Sequence, residues 1–141
     1  MINPKDVITM KIPFPSISDK LAVSSHMYIC RRHDGATYEY VKCQTKKPCM
    51  LYKSPISNYL DEQPNIQRNP FINPTRIDCD KLFFTKSAQY DDKLKTNKRN
   101  DVCDDLFNQI QRKLSTTSIT YIHINEAELA SINPLISVLK N

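Results

Sequence analysis

The stretch that decides the fold is LAVSSHMYICRRHDGATYEYVKCQ, residues 21–44. Polar and apolar side chains alternate in both of its halves, which is the period of a half-buried β-strand. Asp34-Gly35 lies between the halves, and this dipeptide between alternating segments is a strong signal for a hairpin turn whose two central residues take positive φ. We therefore predict two paired antiparallel strands, at 21–32 and 37–44.

Further strand signals occur on both sides of this hairpin. Residues 6–14 (DVITMKIPF) and 75–85 (TRIDCDKLFFT) alternate in the same way, and residues 119–124 (ITYIHI) have the β-branched and aromatic content of a short strand. Residues 46–75 contain five prolines and many Asn and Ser. They predict a long Pro-rich loop excursion with at most short helical pieces.

Two helices are predicted in the last third of the chain. Apolar residues at steps of four predict an amphipathic helix near 101–114, with Asp101 as its cap. Asn125-x-x-Glu128 is a capping box, and it predicts a C-terminal helix near 126–133. Strands and helices together predict the fold class α+β.

Length and composition restrict the class of protein. The 141 residues fit one domain spanning 1–141, with 115–141 as a C-terminal extension. The single glycine, Gly35, excludes phosphate loops of the Walker or Rossmann type, which need several glycines. No apolar run approaches the roughly 20 residues of a membrane span, and the first ten residues do not resemble a signal peptide. We therefore expect a cytoplasmic protein without membrane contact.

Cysteines and charge narrow the expected partners. Five cysteines at irregular spacings, without a CxxC pair, predict free thiols in a reducing compartment, no metal site and no cofactor. The net charge of +5 is uneven, because residues 1–60 hold nine bases and four acids whereas residues 101–141 hold three and five. Such an excess attracts phosphate backbones or acidic protein segments, although a solvated basic face is the alternative explanation.

Two polar clusters fall on the predicted hairpin. The first is Ser24-Ser25-His26, where His26 can act as a general acid or base; alternatively, its ring packs on the sheet with both nitrogens hydrogen-bonded. The second is residues 42–47 (KCQTKK), in which hydroxyl and amide groups beside lysines suit contact with phosphate. Alternatively, these lysines only protect the end of a strand.

A third cluster, Arg76-x-Asp78-x-Asp80, places three charges at a spacing of two. That spacing puts them on one face of a strand. A salt-bridge ladder on the surface is the commoner explanation of such a row. In the alternative interpretation, two carboxylates beside an arginine orient a substrate or a catalytic histidine.

Three segments, taken in order, carry a family resemblance. DVITMKIPFPSISDKL (6–21), VKCQTKKP (41–48) and CDKLF (79–83) are similar to the opening strand, the strand that ends in a catalytic Thr, and the "DQ" strand of the MazF/PemK-like toxin endoribonucleases. The resemblance covers most of residues 6–114. It implies a small, strongly curved antiparallel SH3-like β-barrel with helices, a homodimer that cuts single-stranded RNA without a metal, and an acidic antitoxin as partner.

The resemblance also implies roles for particular residues. Thr45, or Gln44 beside it, falls at the catalytic Thr of the family, and Asp80 falls at its Asp. The family has Arg-Pro at the start of the second strand, where this chain has Ser25-His26. The Arg stabilises charge on the scissile phosphate, so its absence raises the question of which group replaces it.

Two functional hypotheses follow. In the first, Arg76, Arg31 or Lys46 supplies the missing positive charge and the chain is a toxin-type endoribonuclease. In the second, the chain keeps the SH3-like module without the chemistry and binds nucleic acid or a protein partner. The predicted catalytic residues are His26, Thr45, Asp80 and Arg76, and the predicted RNA-binding residues are Ser25, Lys42, Gln44, Lys46 and Lys47.

Overall fold

The computed structural model describes residues 1–13, 25–46, 56–116 and 118–139. Its strands are β1 (Val7–Lys11), β2 (Ser25–Asp34), β3 (Thr37–Thr45), β4 (Tyr59–Glu62), β5 (Thr75–Asp78), β6 (Lys81–Thr85), β7 (Ala88–Tyr90), β8 (Thr120–His123) and β9 (Ile136–Val138). Its helices are α1 (Asp104–Ser115), α2 (Glu126–Ile132) and a short 3₁₀ helix, Asp92–Leu94.

Seven of the strands form one mostly antiparallel sheet. Its path runs β1-β2-β3-β5-β4, while β6 pairs with β3 on one side and with β8 on the other. Among the described strands only the β6–β8 ladder is parallel, and β7 and β9 form a separate two-stranded sheet. The predicted α+β class is confirmed. Among the residues that the structure describes, no strand pair closes this sheet into a barrel.

The central hairpin forms as predicted, but its turn lies one residue later. Asp34 stays in the ladder opposite Thr37, so the two turn residues are Gly35 and Ala36. Gly35 has a φ of 60°, and Ala36 is not among the residues with positive φ. The prediction that Asp34 and Gly35 both take positive φ is therefore wrong. A hairpin turn with glycine first requires positive φ only at that residue.

The predicted single strand at 75–85 is broken into β5 and β6. Both pieces pair with β3, β5 near its end and β6 near its beginning. At the break, the backbone N–H of Asp80 donates to the carboxylate of Asp78 over 2.8 Å, and the N–H of Cys79 donates to the carbonyl of Asn58 over 2.9 Å. The bond to Asp78 is a local one that an Asp side chain commonly makes in place of a ladder bond, whereas the bond to Asn58 continues the β4–β5 pairing by one residue.

The region predicted to be a loop and the C-terminal extension also contribute strands to the sheets. The region 46–75, expected to hold at most short helical pieces, contains β4, which pairs with β5; residues 47–55 lie outside the described ranges. The extension 115–141 contributes β8, α2 and β9, and Leu129 of α2 is fully buried. The strand predicted at 119–124 is confirmed as β8, whereas β4 and β9 have four and three residues, which is too short for alternation to reveal.

Of the two predicted helix caps, the first is wrong and the second is confirmed. Asp101 does not cap α1; the sulfur of Cys103 does, accepting the Leu106 N–H over 3.4 Å. Asn125 caps α2 as predicted, because its side-chain oxygen accepts the Glu128 N–H over 3.0 Å. In each helix a capping side chain thus accepts one backbone N–H of the first turn, which stabilises the helix start.

The large sheet carries an apolar cluster on each face. On the face that we call the α1 face, the buried strand residues Val7, Ile29, Val41 and Ile77 join Leu106, Ile110 and Leu114 of α1. On the opposite face, called the α2 face, the cluster includes Ile8, Met10, Tyr28, Tyr40 and Phe83 together with Leu129 and Ile136. Strand alternation separates the two sets, and polar residues take over where β2, β3 and β5 reach the same end of the sheet.

Candidate functional site

A cleft of about 190 Å³ opens where β2 begins and β3 ends. Ser25 and His26 from β2 and Gln44 and Thr45 from β3 all line it. The hairpin explains this meeting, because β2 and β3 pair antiparallel and the start of one strand must therefore lie beside the end of the other. The structure thus brings together four of the residues that the sequence singled out.

The rest of the cleft wall was not predicted. Thr9, Asn73 and Thr75 add hydroxyl and amide groups, and Phe71 adds a buried apolar surface. Thr75 lies directly opposite Thr45 in the β3–β5 register, and its hydroxyl donates to the Asn73 carbonyl over 2.8 Å. The Pro-rich composition of 46–75 gave no signal for this wall, since only the pairing of β5 with β3 brings it here.

The cleft residues divide between the two faces of the sheet. His26 pairs with Met10 of the α2-face cluster, and Gln44 pairs with Arg76. Directly opposed residues share a face and successive residues alternate, so His26 and Gln44 belong to the α2 face whereas Ser25 and Thr45 belong to the α1 face. The two pairs meet at the strand ends, where both faces border the cleft.

Arg76 is held by Asp61 rather than by the other charges of its sequence cluster. It is only 2% exposed, and its Nε and Nη2 lie 2.8 and 3.0 Å from the two carboxylate oxygens of Asp61. Its guanidinium also stacks 3.7 Å above the ring centre of Tyr59. Asp78 is buried as well. The interpretation of Arg76, Asp78 and Asp80 as a ladder on the surface is therefore wrong.

Asp61 also forms an ion pair with a second basic residue, Lys46. Lys46, which follows Thr45, has its Nζ 3.0 Å from the Asp61 carboxylate. The hydrogen bond from Arg76, assisted by that from Lys46, lowers the pKa of Asp61 below its ordinary value. Asp61 was not predicted, because no sequence pattern relates it to Arg76, 15 residues away.

Lys42 lies on β3 directly opposite Tyr28 of β2. Burial lowers the pKa of Lys42, although the nearby charge of Asp78 acts in the opposite direction. Its ammonium group is therefore a partly desolvated cation on the face that His26 and Gln44 share. Such a cation interacts with an anion more strongly than a solvated lysine does.

Asp80 does not line the cleft. It lies at the break between β5 and β6, where its carboxylate accepts the backbone N–H groups of Ser57 and Asn58 over 2.7 and 3.0 Å. The Ser57 hydroxyl donates to the same carboxylate. Asp80 thus fixes the chain before β4 in place. Lys47, the last of the predicted RNA-binding residues, lies outside the described ranges.

The thiol in the cleft wall is a packing group. Cys43 is buried in the α1-face cluster, and burial raises its pKa well above the ordinary value. A protonated, buried thiol is a poor nucleophile. Cys43 therefore contributes shape and apolar surface to the cleft.

The described residues contain neither a cluster of potential metal ligands nor a membrane-spanning helix. No group of three or more His, Cys, Asp and Glu side chains comes together there as a metal site. Nor is any described helix long and apolar enough to cross a bilayer.

The chain was also compared with known proteins. No family model and no curated protein matches it.

Proposed function

We propose that this chain is a toxin-type endoribonuclease that cuts single-stranded RNA without a metal ion, on a sheet related to the SH3-like barrel. One observation carries the proposal: Ser25, His26, Gln44 and Thr45, from two sequence clusters about 20 residues apart, line one cleft. Cleavage of RNA requires a proton acceptor beside several hydrogen-bond donors. This cleft contains both.

In the proposed mechanism, His26 removes the proton from the ribose 2′-hydroxyl. The 2′-oxygen then attacks phosphorus and forms a P–O bond, and the bond to the 5′-oxygen breaks. The imidazolium returns its proton to that leaving oxygen, which yields a 2′,3′-cyclic phosphate and a 5′-hydroxyl end. The hydroxyls of Ser25 and Thr45 and the amide of Gln44 donate to the phosphate oxygens as charge develops there.

Arg76 and Asp80 have positioning roles in this proposal. Arg76 lies beside Gln44 in the β3–β5 register and, through Asp61, links β5 to β4 and to Lys46. Asp80 holds the segment that precedes β4. Lys42 shares a face of the sheet with His26 and Gln44 but does not line the cleft, so in this proposal it adds positive charge near the site without touching the phosphate.

Incubation of purified protein with a long single-stranded RNA in EDTA tests the proposal. We expect fragments with 5′-hydroxyl ends, at a rate that EDTA leaves unchanged. Absence of cleavage, or cleavage that EDTA abolishes, contradicts it. A preparation carrying His26→Gln serves as the control for contaminating nucleases, because it passes through the same purification.

The non-catalytic binding module is the second candidate, and a specific observation favours it. Arg76 and Asp80, both predicted to be catalytic, are engaged in structural contacts, since Arg76 pairs with Asp61 and Asp80 bonds the backbone of Ser57. RNA that binds in the cleft but stays intact is the result expected for this module. The EDTA experiment therefore separates the two candidates when an RNA-binding measurement accompanies it.

The proposed toxin also has protein partners. An acidic antitoxin is drawn to the half of the chain that holds nine bases and four acids, residues 1–60, and two copies of the chain form a homodimer. Pull-down from the native host should recover a small acidic protein, and light scattering should give twice the mass of the chain. Recovery of neutral or basic partners only, or a monomer mass, contradicts the respective expectation.

A further inference from the structure

A second cleft, of about 390 Å³, adjoins the first. Thr9, Met27 and Ile72 line both clefts, so the two form one continuous groove. Ile72 lies at the junction and is 64% exposed although it is a large apolar residue. The groove therefore leads from the residues of the proposed active site across β1 to a different part of the surface.

The outer wall of the second cleft is strongly basic. Residues 93–99 read KLKTNKR, four bases without an acid, and Lys93, Lys95 and Lys98 line the cleft. Lys95 pairs with the Asp6 carboxylate at 3.3 Å. Lys93 and Lys98 are exposed and form no ion pair with any residue that the structure describes. These two lysines present unpaired ammonium groups to the groove, although the carboxylates of Asp91 and Asp92 immediately precede the segment.

The basic segment is fixed to the sheet. The Thr96 N–H donates to the Val7 carbonyl over 3.0 Å, and Lys95 forms a β-bridge with Ile8. The Thr96 hydroxyl donates to the Arg99 carbonyl over 2.5 Å, which closes the turn between Lys95 and Lys98. A backbone anchored in this way holds its lysines near the groove before any ligand arrives, so binding costs less entropy.

We propose that this lysine wall, residues 93–98, binds the sugar–phosphate backbone of a single-stranded RNA whose continuation enters the first cleft. Lys93 and Lys98 neutralise phosphates, and Asn97 adds an amide donor of the kind that contacts phosphate and sugar. Ile72 offers an exposed apolar surface to a base at the junction. The inference rests on the proposed function for its ligand and extends it with a binding site outside the predicted residues.

RNA fits this groove better than an acidic protein segment does. The lysines continue into a cleft lined by the hydroxyl groups of Thr9, Ser25, Thr45 and Thr75, and hydroxyls suit the many acceptor oxygens of a nucleic-acid strand. An acidic peptide would need only the charges. Continuity of basic and hydroxyl-rich surface is therefore the feature that selects the ligand.

The test measures binding of a fluorescent, 2′-O-methylated single-stranded RNA, which cannot be cut by attack of its 2′-oxygen. Three proteins are compared with the wild type: Lys93→Gln/Lys98→Gln, the charge-conserving Lys93→Arg/Lys98→Arg, and the matched control Lys86→Gln/Arg112→Gln. The control removes the same charge from residues that line neither cleft. All four substituted side chains are exposed, and thermal melts verify that each variant is folded.

We expect the Gln pair to flatten the dependence of log K on log salt by about 1.4, since each phosphate contact of a single strand contributes about 0.7. Between about 50 and 200 mM salt, the wild type should then lose about seven times more affinity than this variant. The Arg pair and the control should keep the wild-type slope.

An unchanged slope in the Gln pair, or an equal change in the control, overturns the inference. It is also overturned if polyglutamate, but not RNA, binds in a way that depends on Lys93 and Lys98. Cleavage of unmodified RNA is measured separately. Lysine-dependent binding without cleavage leaves the lysine wall in place and removes the nuclease proposal, whereas cleavage with an unchanged slope removes only the lysine wall.

Discussion

Strands β2, β3 and β5 have buried apolar side chains in their middle and polar side chains at the end that borders the cleft. In the middle, Ile29 of β2, Val41 of β3 and Ile77 of β5 are completely buried under α1. A few residues away, Ser25 and Thr45 are exposed at the mouth of the cleft. The comparison teaches that stability and chemistry occupy separate parts of one sheet, so that substitutions in one part should leave the property of the other nearly unchanged.

The largest expected effect is on the α1 face. Ile110→Ala should lower the free energy of unfolding by about 2–5 kcal/mol, because Ile110 is fully buried and its loss leaves a cavity between α1 and the sheet. Urea denaturation measures the effect. The control Asn108→Ala, on the exposed side of the same helix, should change stability by less than about 0.5 kcal/mol. Equal losses in the two variants would mean that α1 is not anchored by its apolar side.

The complementary substitution is at the cleft. His26→Gln keeps a polar side chain but cannot transfer protons, so the rate of RNA cleavage should fall by about 100-fold or more while RNA affinity stays similar. His33→Gln is the matched control at the opposite end of β2, where the ring stacks on Tyr38, and it should cleave like the wild type. A loss of stability in His26→Gln, with full activity per folded molecule, would instead assign His26 a packing role.

The ion pair of Arg76 with Asp61 lies between the two regions, and its loss should lower the free energy of unfolding. Asp61→Asn leaves the guanidinium of Arg76, 2% exposed, without its anionic partner, and we expect a loss of about 1.5–3 kcal/mol at neutral pH. The exposed pair of Arg32 and Asp34 supplies the control, because Asp34→Asn should cost less than about 1 kcal/mol. Similar losses for both variants would show that burial of Arg76 is not what makes the pair important.

The same ion pair predicts that the stability of the protein depends on pH. The folded-state pKa of Asp61 lies below its ordinary value of 3.8, so the stabilisation is complete above that value and is lost as the pH falls through the folded pKa. Melting temperatures should therefore drop below about pH 4, and Asp61→Asn should drop less steeply in that range. Parallel curves for the two proteins would remove Asp61 from the acid sensitivity.

The smallest expected effect is at the start of α2, whose cap residue Asn125 does not line the cleft. Asn125→Ala should cost about 1 kcal/mol, because the Glu128 N–H loses its side-chain acceptor. Asn125→Asp retains an acceptor at this position and should remain close to the wild type. Thermal melts measure both, and cleavage per folded molecule should stay unchanged. A change in cleavage would show that α2 communicates with the cleft.

Local patterns were sufficient for much of the fold. Alternation predicted β1, β2 and β3, and the box at Asn125 and Glu128 predicted the start of α2, because these signals involve residues that are neighbours along the chain. The break at Cys79 and Asp80 was missed, since the strand pattern continues through it, whereas in the structure the side chain of Asp78 accepts the Asp80 N–H at this point.

The sequence by itself determined that Ser25, His26, Gln44 and Thr45 would lie close together. Antiparallel pairing in a hairpin places the start of β2 beside the end of β3, and in the structure the turn at Gly35 and an irregularity between Cys30 and Arg32 set the register there. Only the tertiary structure decided the partners of the charges: Asp61 for Arg76, the backbone of Ser57 for Asp80, and a groove for Lys93 and Lys98. Charge interactions act through space between residues far apart in sequence, so no local period or spacing encodes them.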